Sequence, residues 1–151
     1  MTVEVCLLDT AADAALGNVA PGVFDHPVQP ALVAEFLADP RHHLAVARED
    51  GVVIGFASAV HYVHPDKPPQ LWVNEIGVAP AHQRRGLGKQ LLRAVLDAGR
   101  AVGCAEAWVL TDRSNLAAMR LYRALGGVEA PGHTVMFEFP FDSDSSSSGG
   151  D

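Results

Sequence analysis

A mixed α/β fold, with a mainly antiparallel central sheet flanked by helices, follows from three observations on this 151-residue chain. Apolar runs at residues 44–48, 52–63 and 71–78 are joined by turn formers and read as a three-stranded meander. Residues 86–102 place Leu87, Leu91, Val95, Ala98 and Val102 on one helical face. A strand, a second helix and a last strand then follow, so the order is a β meander and then βαβαβ.

Taken in order, Val3, Val5 and Leu7 alternate with Glu4 and Cys6 and predict a strand over residues 2–8, with a brief helix expected over 10–16. Leu32, Val33, Phe36 and Leu37 share one face of a helix over 30–37 that Asp39-Pro40 stops, and this face is expected to pack on the sheet. Between the next two runs stands Glu49-Asp50-Gly51, and Asp-Gly between apolar strands signals a hairpin. The turn formers His64-Pro65-Asp66-Lys67-Pro68-Pro69 lead into the third strand. In the helix over 86–102, Lys89, Arg93, Asp97 and Arg100 point away from the apolar face. Residues 105–110 read as a buried strand, and 115–125 as a helix opened by Ser114 or Asn115 and closed by Gly126-Gly127. A last strand is expected over 134–139. One domain is expected over residues 1–141, and the Asp/Ser/Gly run 142–151, which has no apolar residue to order it, is expected to be flexible.

Composition narrows the function. With 48% hydrophobic and 19% charged residues, the chain can build a sizeable core. No apolar run approaches the ~20 residues that span a bilayer. The Met-Thr-Val-Glu start also lacks the basic and apolar regions of a secretion signal, so neither insertion nor export is expected. Cys6 and Cys104 are too few for a disulfide framework and lack the close spacing of a zinc or redox pair, which predicts reduced cytoplasmic thiols. A formal net charge of -7 disfavours a nucleic-acid partner and suits a cationic small molecule. The 7 histidines form no credible helical His-x-x-x-His pair, so no metal is expected.

The strongest local signal is Gln83-Arg84-Arg85-Gly86-Leu87-Gly88, which follows an apolar strand and opens the amphipathic helix. Two glycines let backbone approach a ligand, while unpaired amides and the positive end of the helix dipole favour phosphate oxygens. The spacing is neither the dinucleotide G-x-G-x-x-G nor a loop ending in Gly-Lys-Ser/Thr, so those nucleotides are disfavoured. At these residues the chain resembles the GNAT superfamily of N-acetyltransferases, whose pyrophosphate loop reads Gln/Arg-x-x-Gly-x-Gly/Ala. Asn115, Ala118, Leu121, Tyr122 and Gly126 are similar to the family's downstream helix, although Gly127 stands where a Phe is common. In element order the resemblance covers roughly residues 2–140, and it is specific over 71–127. It implies acetyl-CoA as cofactor, with backbone near Ile76, Gly77 and Val78 pairing with the pantetheine arm. Amides from Arg84, Arg85, Gly86, Leu87, Gly88 and Lys89 would then hold the pyrophosphate. It also leaves room for a homodimer.

An amine of pKa about 10.4 is neutral only about once in a few thousand molecules at pH 7, an availability cost of about 4.6 kcal/mol. Glu75, which interrupts the apolar strand just before the loop, is the candidate to take its proton directly or through water. The alternative for Glu75 is a strand glutamate paired with a cation or facing water. Tyr122 stands where, by the resemblance, a tyrosine often protonates the departing thiolate; otherwise it is a core aromatic beside Leu121 and Leu125. Asn115 reads equally as a guide for the pantetheine arm and as a helix cap.

For the acceptor, residues 54–62 and 71–78 are similar to the aminoglycoside 3-N-acetyltransferase branch, which implies a polycationic small-molecule amine. Asp25, Glu138 and Asp142 would add negative charge, and Tyr62, His64 and Asp66 would border the pocket; solvated surface is the alternative for each. A polyamine, a peptide amine and a non-catalytic acyl-CoA-binding module stay open.

Overall fold

The computed structural model describes residues 2–9 and 15–141. Five strands, β1 (Val3–Leu8), β2 (His42–Glu49), β3 (Val52–Tyr62), β4 (Gln70–Val78) and β5 (Glu106–Val109), lie side by side in sequence order. Each neighbouring pair is antiparallel except β4 with β5, which is parallel. Helices α1 (Pro30–Ala38), α2 (Leu87–Ala101) and α3 (Leu116–Ala124) complete the expected mixed α/β architecture. Among the described residues no helix is long and apolar enough to cross a membrane.

Local chemistry explains the joints. Asp50 (φ 52°) and Gly51 (φ 79°) form the two-residue turn between Glu49 and Val52, and two successive positive φ angles match the twist of a hairpin. Helix α2 lays Leu91, Leu92 and Val95 on the sheet, opposite Val53, Leu71 and Val73, and these side chains are nearly free of solvent contact. Its close approach depends on Gly99, where a Cβ would stand 2.8 Å from a methyl of Leu71.

The opposite face of the sheet is covered by α1 and the segment before it. Asn18 and Ala20 hydrogen-bond the backbone of Val53, which ties the start of that segment to β3. Its other end rests on β4 at Gly77, where an added Cβ would lie 2.3 Å from the Val23 carbonyl oxygen and 2.8 Å from the Phe56 ring. Only a glycine allows this contact, and it lets Phe24 stack on Phe56 with centroids 4.0 Å apart.

Three expectations change. Residues 15–17 form a single 3₁₀ turn, and 10–14, which carry most of the expected first helix, lie outside the described residues. Strand β5 is not buried: Glu106, Ala107 and Trp108 are exposed, because β5 is the edge of the sheet and α2 covers the strands before it. Residues 134–139 form no strand. Alternating apolar residues suit a segment to pairing, but a ladder needs a partner within reach, and the one backbone bond in this stretch joins the Thr134 N–H to the Pro131 carbonyl at 2.9 Å. Val135, Phe137 and Phe139 therefore stand exposed.

Gly77→Ala is expected to destabilise the fold by about 1–3 kcal/mol, since the Val23 carbonyl must move. Urea unfolding would read this as a lowered midpoint; an unchanged midpoint would show that the Val23 contact is not needed.

Candidate active site

The sheet parts along β4. Strand β5 pairs with β4 only from Gln70 to Val73. At the next residue the β3–β4 register slips, because Ser58 pairs with Glu75 and Ala59 with Val73, so Asn74 is an extra residue without a partner on β3. A bulge of this kind bends a strand and re-aims its side chains. From Asn74 to Val78 the edge of β4 away from β3 has no strand partner among the described residues.

The loop after β4 is held in shape by three side-chain contacts. Gln83 donates from Nε2 to the Val78 carbonyl at 3.1 Å, and Glu49 of β2 receives His82 at 3.5 Å and Arg85 at 3.9 Å. Arg84 (φ 65°) and Gly86 (φ 78°) both take left-handed backbone. This is free for glycine and costs an arginine about 1–2 kcal/mol. Helix α2 then starts at Leu87 with no side-chain cap, so its first-turn N–H groups, which have no partners inside the helix, remain for a ligand. Arg84, Arg85 and Lys89 are exposed around them. A Cβ on Gly88 would meet Leu121 at 3.4 Å, so a small residue there sets how closely α3 approaches.

Glu75 is exposed and makes no ion pair or side-chain hydrogen bond among the described residues. It overlooks a cavity of about 380 Å³ on the face of the sheet away from α2, shared with Ser58 and with Asp25 and His26 from the preceding segment. Tyr122 lies elsewhere, half-buried in a cleft with Val73, Leu92, Trp108 and Val109. Burial pushes its phenol above the ordinary tyrosine range. Val73 is the last residue of β4 that pairs with β5 and stands two residues before Glu75, so the two candidate groups line separate cavities along β4.

Asn115 caps α3, its Oδ1 accepting from the Ala118 N–H at 3.1 Å. Tyr62 and His64 meet at the far end of β4: both reach Gln70, and the Trp108 indole donates to the Tyr62 hydroxyl at 2.7 Å. Neither lines the cavity at Glu75. Asp66 lies 4.0 Å from Lys67 in an exposed turn, Glu138 is in the exposed segment after α3, and Asp142 lies outside the described residues. Sequence reasoning missed Ser58, His26 and the bulge at Asn74. Only the polar Asn74-Glu75 break in an apolar strand hinted at them.

Residues 14–126 match the Acetyltransferase (GNAT) family. The N-alpha-acetyltransferase RimI of Mycobacterium tuberculosis is 40% identical over 104 residues, 69% of this chain and 63% of the relative. The aminoglycoside N(6′)-acetyltransferase type 1 of Salmonella typhimurium is 39% identical over 90 residues, 56% of this chain and 62% of the relative. The chain thus spans less than two thirds of either relative's length. Among solved structures, the aminoglycoside N-acetyltransferase AAC(6′)-Iy in complex with CoA is 28% identical with a TM-score of 0.71, covering 92% of this chain and 95% of that one.

Asn115→Ala removes the cap and is expected to lower stability by about 1 kcal/mol, with Asn115→Ser close to the parent. Thermal unfolding of the three proteins checks this, and equal midpoints would show that the cap contributes nothing.

Proposed function

The chain belongs to the Acetyltransferase (GNAT) family, and from that premise we propose an acetyl-CoA-dependent N-acetyltransferase that acts on a primary amine of a small cationic molecule. The observation that carries this reading is the parting of β4 from β5 beside an uncapped helix start. The unpaired edge at Ile76, Gly77 and Val78 offers backbone groups to an extended amide-containing arm, as an added strand would receive them. Amides from Arg84 to Lys89, with the positive end of α2, suit a pyrophosphate. Acetyl-CoA, when bound there, supplies an acyl group activated as a thioester.

Glu75 removes the proton of the incoming ammonium, directly or through water, and its freedom from ion pairs leaves it open to do so. Tyr122, a phenol that is protonated at neutral pH, holds a proton for the departing thiolate. We place the reaction in the cytoplasm, where the free thiols of Cys6 and Cys104 stay reduced.

The finer reading of an aminoglycoside acetylated at its 3-amine draws on relatives named for aminoglycosides, but those names carry the 6′ position. A peptide acceptor is the second reading, favoured by the similarity to RimI.

Glu75→Gln is expected to lower kcat/KM about 10²- to 10⁴-fold near pH 7. The loss should shrink as pH rises toward the amine's own pKa of about 10.4, where free amine no longer needs the base. Thiol release from acetyl-CoA across that range measures it, and unchanged turnover at neutral pH would remove Glu75 from the role. Tyr122→Phe is expected to lower kcat at least about tenfold while leaving the acetyl-CoA dissociation constant unaltered. A non-catalytic acyl-CoA-binding module would bind the cofactor and show no turnover in any of the three proteins.

A further inference from the structure

The walls of the cavity below Glu75 carry information about the acceptor that charge does not. Nine apolar side chains line it, among them Leu16, Phe24, Leu32, Phe36, Leu44 and Phe56. Its polar groups are Asp25, His26, Gln29, Ser58 and Glu75, and among the described residues no lysine or arginine lines it. Leu32 keeps 56% of its surface exposed although it sits on the apolar face of α1, so this face is only partly covered by the described residues. At about 380 Å³ the space lies toward the small end of ligand pockets.

Two carboxylates without a competing cation attract a positive charge to the side of Glu75 and Asp25. The apolar wall then selects what is attached to that charge. Hydroxyls or further ammonium groups placed against Phe24, Phe36 and Phe56 would lose water and gain no partner, which is strongly unfavourable. Methylene or aromatic surface in the same place gains from leaving water. Resting on the N-acetyltransferase reading, we infer that the acceptor is a small primary amine bearing an aliphatic or aromatic group within a few bonds of its nitrogen. A polyhydroxylated polycation is the wrong shape of polarity for this cavity. The ammonium lies toward Glu75, Asp25 and Ser58, and the apolar group lies between α1 and the Phe24–Phe56 stack.

The test is calorimetric titration of n-alkylamines from ethylamine to octylamine into the protein, with and without coenzyme A. Phenethylamine, spermidine, kanamycin and a peptide with an N-terminal phenylalanine are titrated in parallel. Affinity should rise about fourfold per added methylene until the cavity is full. Phenethylamine should bind more tightly than spermidine, kanamycin or the peptide. Leu32→Ser, at a partly exposed position that does not threaten folding, should flatten the alkylamine series. A flat series in the parent, no binding of any alkylamine, or tighter binding of spermidine, kanamycin or the peptide would overturn the inference. Binding is read without acetyl transfer, so the two readings fail separately. Amines that bind in this order without thiol release from acetyl-CoA would sink the transferase reading alone, whereas thiol release with kanamycin and not with phenethylamine would sink this inference alone.

Discussion

Backbone hydrogen bonding along β4 is continuous on one side and interrupted on the other, and the candidate site follows from that asymmetry. Antiparallel pairing with β3 runs the length of β4 apart from the slip at Asn74, whereas the parallel pairing with β5 stops at Val73. Unpaired backbone groups must find a partner or stay in water. Here they border the loop that starts α2, so the chain sets a free strand edge and a free helix start side by side. Bending at Asn74 also turns Glu75 toward the cavity on the opposite face.

Glycines make the second-order geometry workable, each for a different reason. Gly77 admits the Val23 carbonyl and so seats the segment that bears Phe24, Asp25 and His26 over the sheet. Gly86 takes left-handed backbone with open space around it, so its freedom concerns conformation rather than contact. Arg84 takes the same backbone without a glycine's excuse, and strain of this kind persists where surrounding contacts enforce it. The Gln83 bond to Val78 and the hold of Glu49 on His82 and Arg85 are such contacts. Both arginines thereby keep their exposed cations near the helix start while Gln83, though part of the motif, works on the protein's own backbone.

Much of this was legible in the sequence where a local rule decides the outcome. Asp50-Gly51 specified its hairpin, the apolar face from Leu87 to Ala98 specified α2, and Gly86-Leu87-Gly88 marked the helix start. The outcome was less legible where it depends on what lies next door. Residues 134–139 have the alternation of a strand but no neighbour, and β5 is apolar in sequence yet forms an exposed edge. The cavity belongs to the same class, since its wall is assembled from residues far apart in the chain, Leu16 to Glu75. Tyr62 and His64, expected at the border of the acceptor pocket or in a solvated turn, meet at the other end of β4 with Gln70 and Trp108.

The central claim is that the free edge of β4 and the start of α2 together receive coenzyme A. Amide hydrogen exchange measured with and without coenzyme A tests it at the atoms concerned. The account predicts slowed exchange confined to residues 76–78 and 84–89 on addition of the ligand. Slowing at other segments only, or unchanged exchange at both of these under saturating ligand, would contradict it.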